Sequence, residues 1–209
     1  MSEAENIQVG AAEQGCALIQ EDTERLVEFL SLLEKWNKVY RLTAIPRSEW
    51  VPLHVLDCLA VVQFLDGGAI ADVGSGAGFP GIPLAIARPD WSVTLIESNQ
   101  KKASFLRQVL VDLRISNASV FGGRVESLVP GRGFDVVISR AFSELGKFVR
   151  LAGHLCRYSG TLAAMKADVS KEELNSVDGE FRCERIVSLK IPLSAVKRSL
   201  VLIRKSPNQ

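Results

Sequence analysis

The sequence predicts an α/β fold: a mostly parallel, doubly wound sheet with an N-terminal helical cap and antiparallel strands at its C-terminal edge. Three observations predict it. From residue 69 onward, short β-branched runs alternate with helical stretches, the pattern of strand–helix–strand units in a parallel sheet. Before residue 66 the apolar spacing is helical. Beyond residue 180 two strand-like segments follow one another with no helix between, which only an antiparallel pair allows at that spacing.

In chain order, residues 22–41 place Leu26, Phe29, Leu30, Leu33, Trp36 and Tyr40 at intervals of three and four, an amphipathic helix with a wide apolar stripe. Trp36 and Tyr40 read as core. A second helix is expected over 48–65, with Pro52 in its first turn and Asp66-Gly67-Gly68 stopping it. AIADV (69–73) reads as the first strand, followed by a helix over 79–87 that Pro89 closes. WSVTLIE (91–97) is the next strand, and 98–114 is its helix, with Ala103, Leu106, Val109, Leu110 and Leu113 on one face. ASVF (118–121), FDVVIS (134–139) and GTLAAMK (160–166) continue the alternation, and 182–193 and 197–205 form the antiparallel edge. Residues 1–66 are therefore expected as a helical extension packed on a core of residues 67–209, one compact unit.

The 209 residues and 47% hydrophobic content fill a sizeable core. Charge interrupts every apolar run well before the roughly 20 residues of a bilayer span, and the acidic start MSEAENIQVG has no apolar signal segment. A cytoplasmic protein without a membrane role is expected, and a monomer. Cys16, Cys58, Cys156 and Cys183 form no CxxC pair, which argues against a zinc site or a disulfide framework and leaves reduced thiols. The net charge of +1 conceals an asymmetry of −6 over residues 1–66 and +7 over the remainder. A basic face on the larger part is permitted, and so is ordinary solvated charge.

The stretch ADVGSGAGFPGIPLAIA (71–87) places Gly74, Gly76, Gly78 and Gly81 between a strand and a helix, where doubly wound sheets bind ligands. Its match to the dinucleotide fingerprint is weak by itself. Asp72 separates the candidates: a carboxylate aimed into the loop repels a pyrophosphate and attracts the positively charged amino-acid end and sulfonium of S-adenosylmethionine. Glu97, ending the second strand, suits the two ribose hydroxyls of either cofactor.

The segments DVGSGAGFPGIPLAIA, ESNQKKASFL, GRVESL, SRAF and RSLVLIRK, with WNKVYRLTAI and HVLDCL upstream, together resemble the RsmG (GidB) family of class I, Rossmann-like RNA methyltransferases over nearly the whole chain. The resemblance implies methyl transfer from S-adenosylmethionine to N7 of a guanine in the 530 loop of 16S rRNA, within the small ribosomal subunit or its assembly intermediate. It implies donor-binding positions at Gly74, Phe79, Val125, Glu126 and Arg140, beside Asp72, Gly76, Gly78 and Glu97. The chain departs from the family pattern at Arg41, Cys58, Ala167 and Ser199.

Guanine N7 carries a free lone pair, so in-line transfer needs no general base, and neither His54 nor His154 lies in the pocket motifs. Arginine reads the N7/O6 edge of guanine, which makes Arg124 and Arg140 the candidates for positioning the base. Lys166, Arg198, Arg204 and Lys205 are candidate phosphate contacts. His54 and Asp57, three apart on one helix face, are expected to form a structural hydrogen-bonded pair. Alternatives left open are a class I methyltransferase with another substrate, a non-catalytic nucleotide- or RNA-binding module, and an NAD enzyme, which Asp72 disfavours.

Overall fold

The computed structural model describes every residue except Ala141, Ser143, Asp178 and 206–209. Seven strands form one sheet in the order β3-β2-β1-β4-β5-β7-β6. β1 (Ala69–Val73), β2 (Ser92–Ile96), β3 (Ala118–Phe121), β4 (Phe134–Ser139) and β5 (Cys156–Lys166) run parallel. β6 (Phe181–Leu189) is the outer strand, and β7 (Arg198–Lys205) lies antiparallel between it and β5. β5 begins four residues earlier than expected. Its pairing jumps from Phe134–Cys156 to Val136–Thr161, so the extra residues form an irregularity that sequence periodicity does not register.

The period of two along each strand divides the core into two layers. Ile70, Val93, Leu95, Val136, Ile138, Ala163 and Met165 belong to a cluster with the N-terminal helices, while Ala71, Val73, Ile96, Val137, Leu162 and Ala164 belong to the cluster on the other face. Helices therefore cover both faces at the centre of the sheet, where β1 and β4 are mostly buried, whereas the edge strand β6 exposes Arg182, Glu184 and Arg185.

Ahead of the sheet lie α1 (Glu3–Glu13) and α2 (Gln20–Tyr40). Phe29 of α2 sits 5.2 Å from the ring of Phe79 and 6.5 Å from that of Phe105, which fastens the cap to the first loop and to the helix after β2. Trp36 is half-buried against Phe105, but Tyr40 is 41% exposed, outside the core expected for it. The single helix expected over 48–65 is instead a chain of short turns: 3-10 at Arg47–Glu49, π at Val51–Leu56, α3 (Asp57–Leu59), and 3-10 at Val62–Phe64. Pro52 has no N–H to give the regular ladder, and the wider π turn takes up the change.

α4 (Gly81–Ala87) and α5 (Gln100–Asp112) follow β1 and β2 as expected. Beyond them come α6 (Leu145–Ala152) and the short α7 (Lys171–Asn175). Among the described residues, no helix is long and apolar enough to cross a membrane. Cys16, Cys58 and Cys156 are buried free thiols, and Cys183 is a half-buried one.

α2 ends on Arg41, whose φ of 49° is left-handed and whose N–H caps the Asn37 carbonyl. Arg41 is among the departures named above, and asparagine tolerates this conformation better than arginine. Arg41→Asn is expected to stabilise the protein by about 0.5–1 kcal/mol in urea unfolding. No gain would show that the Arg41 side chain compensates for its backbone.

Candidate active site

The chain winds outward through β1, β2 and β3, then returns to set β4 beside β1. Loops leaving the carboxyl ends of β1 and β4 diverge at that point and open a crevice. Three cavities lie along it. The first, about 380 Å³, is lined by Gly74, Ile96, Ser98, Arg124, Val125 and Glu126 among others. The second, about 190 Å³, shares Gly74 and adds Gly76, Phe79, His54 and Arg140. The third, about 400 Å³, shares Thr43, His54 and Arg140 with the second and adds Met165, Lys166, Ala167 and Arg198. Together they are of the size of a site for a cofactor and an acceptor group.

The four glycines divide into two kinds. Gly74 and Gly76 line the cavities with φ of 74° and 57°, and a Cβ on Gly76 meets nothing nearer than the Gly74 carbonyl oxygen, at 3.7 Å. Gly78 and Gly81 instead serve packing. A Cβ on Gly78 would fall 2.7 Å from Ile82 Cγ1 and 3.2 Å from the Phe29 ring, and one on Gly81 would strike Leu95 and the Asp72 carboxylate. Gly78, expected at the cofactor, is not among the residues lining the three cavities; its missing side chain lets the loop lie close to α2 and α4.

Asp72 also departs from expectation. It has the parity of Ile70, so its side chain leaves the sheet on the α4 face; it is wholly buried and accepts a hydrogen bond from the Gly81 N–H at 3.0 Å. Its carboxylate lies beneath the loop, on the Gly81 N–H, and lines none of the three cavities, so it does not face a ligand directly. Its Oδ1 has no hydrogen-bond partner, and burial raises its carboxyl to about 7 from an ordinary 3.8, against the pull of the Gly81 N–H.

The folded state thus binds more protons at Asp72 than the unfolded chain between pH 3.8 and 7. Its contribution to stability is present at low pH and is lost as pH rises through about 7. Asp72→Asn is expected to gain about 1–3 kcal/mol relative to wild type between pH 5 and pH 8 in urea unfolding. A difference that stays constant with pH would contradict this.

Glu97, 7% exposed, braces the loops: Oε2 accepts from the Gly76 N–H at 2.9 Å and Oε1 from the Asn99 N–H at 2.7 Å. Each oxygen keeps a lone pair for a ligand hydroxyl. Val125 is buried at the cavity edge in a 3-10 turn, while its neighbours Arg124 and Glu126 are exposed on the rim. Phe79, 3% exposed, stacks on His54 with ring centroids 4.3 Å apart and planes at 11°, and the Arg140 guanidinium lies 5.2 Å from its ring centre.

Arg140 is the most engaged of the expected residues. Its NH1 donates to the Leu53 carbonyl at 3.2 Å and to Asp57 Oδ2 at 3.1 Å, and its NH2 meets His54 Nδ1 at 3.2 Å. His54 and Asp57 are thus joined through Arg140 rather than to each other, as the sequence spacing suggested. Since a guanidinium only donates, His54 Nδ1 accepts, and Nε2 is left to donate to Thr43 Oγ1 at 2.9 Å. Burial, then the Arg140 charge, holds the His54 imidazole down at about 3, so it is neutral near pH 7.

Two expected phosphate contacts line the third cavity already in ion pairs: Lys166 with Glu173 at 2.7 Å, Arg198 with Asp57 at 3.0 Å. Arg204 and Lys205 lie elsewhere, at the opposite end of β7, paired with Glu184 and Glu180. Sequence reasoning missed Thr43 and the role of the Leu53 carbonyl. The HVLD segment was the available signal, since a helix bearing His and Asp beside a strand-end arginine supplies its partners. Of the departures, Ala167 is exposed on the third cavity and Ser199 pairs with Lys166 across the sheet, while Cys58 is buried.

Residues 22–201 match the family model GidB, described as rRNA small subunit methyltransferase G. The chain is 45% identical over 214 residues to the ribosomal RNA small subunit methyltransferase G of Nitrosospira multiformis, with 99% of each chain covered. To the protein of the same name in Laribacter hongkongensis it is 43% identical over 202 residues, covering 96% of this chain and 98% of that one. Among solved structures it resembles the mitomycin 7-O-methyltransferase MmcR with a TM-score of 0.64 at 16% identity, over 85% of this chain and 60% of that one. It also resembles NcsB1, an O-methyltransferase from neocarzinostatin biosynthesis solved with S-adenosylmethionine, with a TM-score of 0.55 at 17% identity, over 66% and 49% of the two chains. At these identities the structural likeness shows the fold, which is that of class I methyltransferases.

Proposed function

Because the chain belongs to the rRNA small subunit methyltransferase G family, we propose that it methylates N7 of a guanine in the 530 loop of 16S rRNA, using S-adenosylmethionine. The observation that carries this reading is the continuity of the crevice: two cavities joined at Gly74 adjoin a third that has Arg140, Lys166 and Arg198 in its walls. A nucleoside with an amino-acid tail fits the first two, and an anionic nucleotide fits the third.

The residues present suit the donor. Val125 supplies an apolar wall for adenine, Glu97 has lone pairs left for ribose hydroxyls, and Gly74 and Gly76 keep the loop free of side chains where the tail passes. Glu126 and Arg124 close the rim. S-adenosylmethionine, when bound, supplies an electrophilic methyl group on a sulfonium. Phe79 and Leu42 exclude water from the second cavity, where a cation that is losing its charge is best left unsolvated.

On the acceptor side, Arg140 orients the Hoogsteen edge of the guanine, Lys166 and Arg198 meet the phosphate backbone, and Arg124, on the rim of the first cavity, reaches the base from the donor side. N7 has its lone pair in the plane of the ring and no proton to lose. The site suits this demand: both nitrogens of His54 are engaged and the ring is neutral, so the histidine in the walls of the second and third cavities is not poised as a base. Catalysis then rests on alignment and exclusion of water. The small subunit or its assembly intermediate is the proposed partner, and a monomer in the cytoplasm the proposed state. Residues 1–66 act as a cap to the unit formed by 67–209.

Incubation of the protein with methyl-labelled S-adenosylmethionine and rRNA tests the reading. Label is expected in RNA, with donor binding indifferent to added NADH. Donor binding without label in RNA would favour a nucleotide-binding module, and competition by NADH would reopen the dinucleotide reading.

A further inference from the structure

The third cavity is organised by a residue that no cavity wall displays. The side chain of Asp57, at the start of α3, is 1% exposed, yet it joins two arginines remote in sequence. Oδ2 accepts from Arg140 NH1 at 3.1 Å, and Oδ1 accepts from Arg198 Nε at 3.0 Å. Arg140 follows β4 and Arg198 opens β7, with β5 running between them and ending in Lys166 on the same cavity. Three cations gathered at one opening repel each other, and long side chains of like charge splay toward solvent unless something fixes them.

Resting on the rRNA reading, we infer that Asp57 is a positioning residue for the RNA acceptor. One buried carboxylate holds both guanidiniums at a set spacing across the third cavity, and leaves the pair a net positive charge toward the nucleotide. The donors are ordered before RNA arrives, so binding does not have to immobilise them. The remaining anchors act on Arg140 alone: the Leu53 carbonyl fixes NH1 and His54 fixes NH2, itself held by Thr43. Among the described residues Arg198 has no comparable set; besides Asp57 it donates to the Lys197 carbonyl at 3.3 Å.

Two variants test this. Asp57→Asn keeps the shape but accepts from only one arginine. Arg198→Lys keeps the charge but loses the Nε–H that Asp57 accepts. Both are expected to lower kcat/KM for RNA by at least about tenfold, since misplacement of a positioning group by a fraction of an ångström carries losses of this order. The calorimetric Kd for S-adenosylmethionine is expected to stay within about threefold of wild type. RNA kinetics within threefold of wild type in either variant, or a parallel loss of donor affinity as a general structural defect would give, overturns the inference. If Asp57→Asn does not fold, Arg198→Lys decides it. Absence of transfer by the wild-type protein overturns the functional reading and the inference with it; wild-type transfer matched by the variants overturns the inference alone.

Discussion

Arg140→Ala is expected to lower kcat/KM for the RNA acceptor by about 30- to 5,000-fold, equivalent to about 2–5 kcal/mol. The estimate follows from what the side chain does. It is only a quarter exposed, it lies over Phe79, and it ties the strand end to Leu53, His54 and Asp57 in the cap. Its removal leaves a buried carboxylate with one partner instead of two and deprives the second and third cavities of a shared wall. Because Arg198 still pairs with Asp57, the variant is expected to fold, with the loss appearing in turnover rather than in yield. Steady-state kinetics on rRNA decide it, and turnover at the wild-type rate would remove Arg140 from the site.

Gly76→Val is expected to weaken S-adenosylmethionine binding by at least about 100-fold while leaving the fold intact. Two effects act together. The backbone there is left-handed, at φ 57°, where a β-branched residue carries strain of about 1–3 kcal/mol. The side chain would also stand on the loop that walls the second cavity, although a Cβ alone has room. Gly78→Ala makes the contrast: its Cβ would fall 2.7 Å from Ile82, so a loss of stability is expected with no specific effect on the donor. Calorimetry of both variants separates the roles, and unchanged donor affinity in Gly76→Val would refute the placement of the donor on this loop.

Much of the architecture was legible because it rests on local pattern. The alternation from residue 69 placed β1 to β4 and the antiparallel edge, since strands covered on both faces must be apolar and short. The first helix was not found, although Ser2 and Glu5 form a capping box that marks its start. Attention to the charge of that segment hid its geometry. α6 also escaped, although Leu145, Phe148, Val149 and Ala152 follow helical spacing. The helix over 48–65 failed for a different reason. Its spacing is helical, but the segment breaks into 3-10, π and α turns around Pro52, and it is in this irregular form that Leu53, His54 and Asp57 meet Arg140.

In the site, the sequence located the crevice and most of its walls but not the direction of side chains. Asp72 was read as facing a ligand because it adjoins the glycines, whereas strand parity turns it under α4. The rule of two applied to AIADV was sufficient to find this, since Ile70 and Asp72 share a face. Gly78 shows the same limit, because glycine signals close approach without saying to what. The shared anchoring of Arg140 and Arg198 on Asp57 joins residues separated by 83 and 141 positions, a contact that only the folded sheet brings together.

The most direct measurement is methyl transfer from labelled S-adenosylmethionine to small ribosomal subunits that lack the modification, alongside naked 16S rRNA, with 7-methylguanine mapped by chemical strand scission. The account predicts scission at a single guanine of the 530 loop. Label at another position or on another atom, or no label in either substrate, would contradict it.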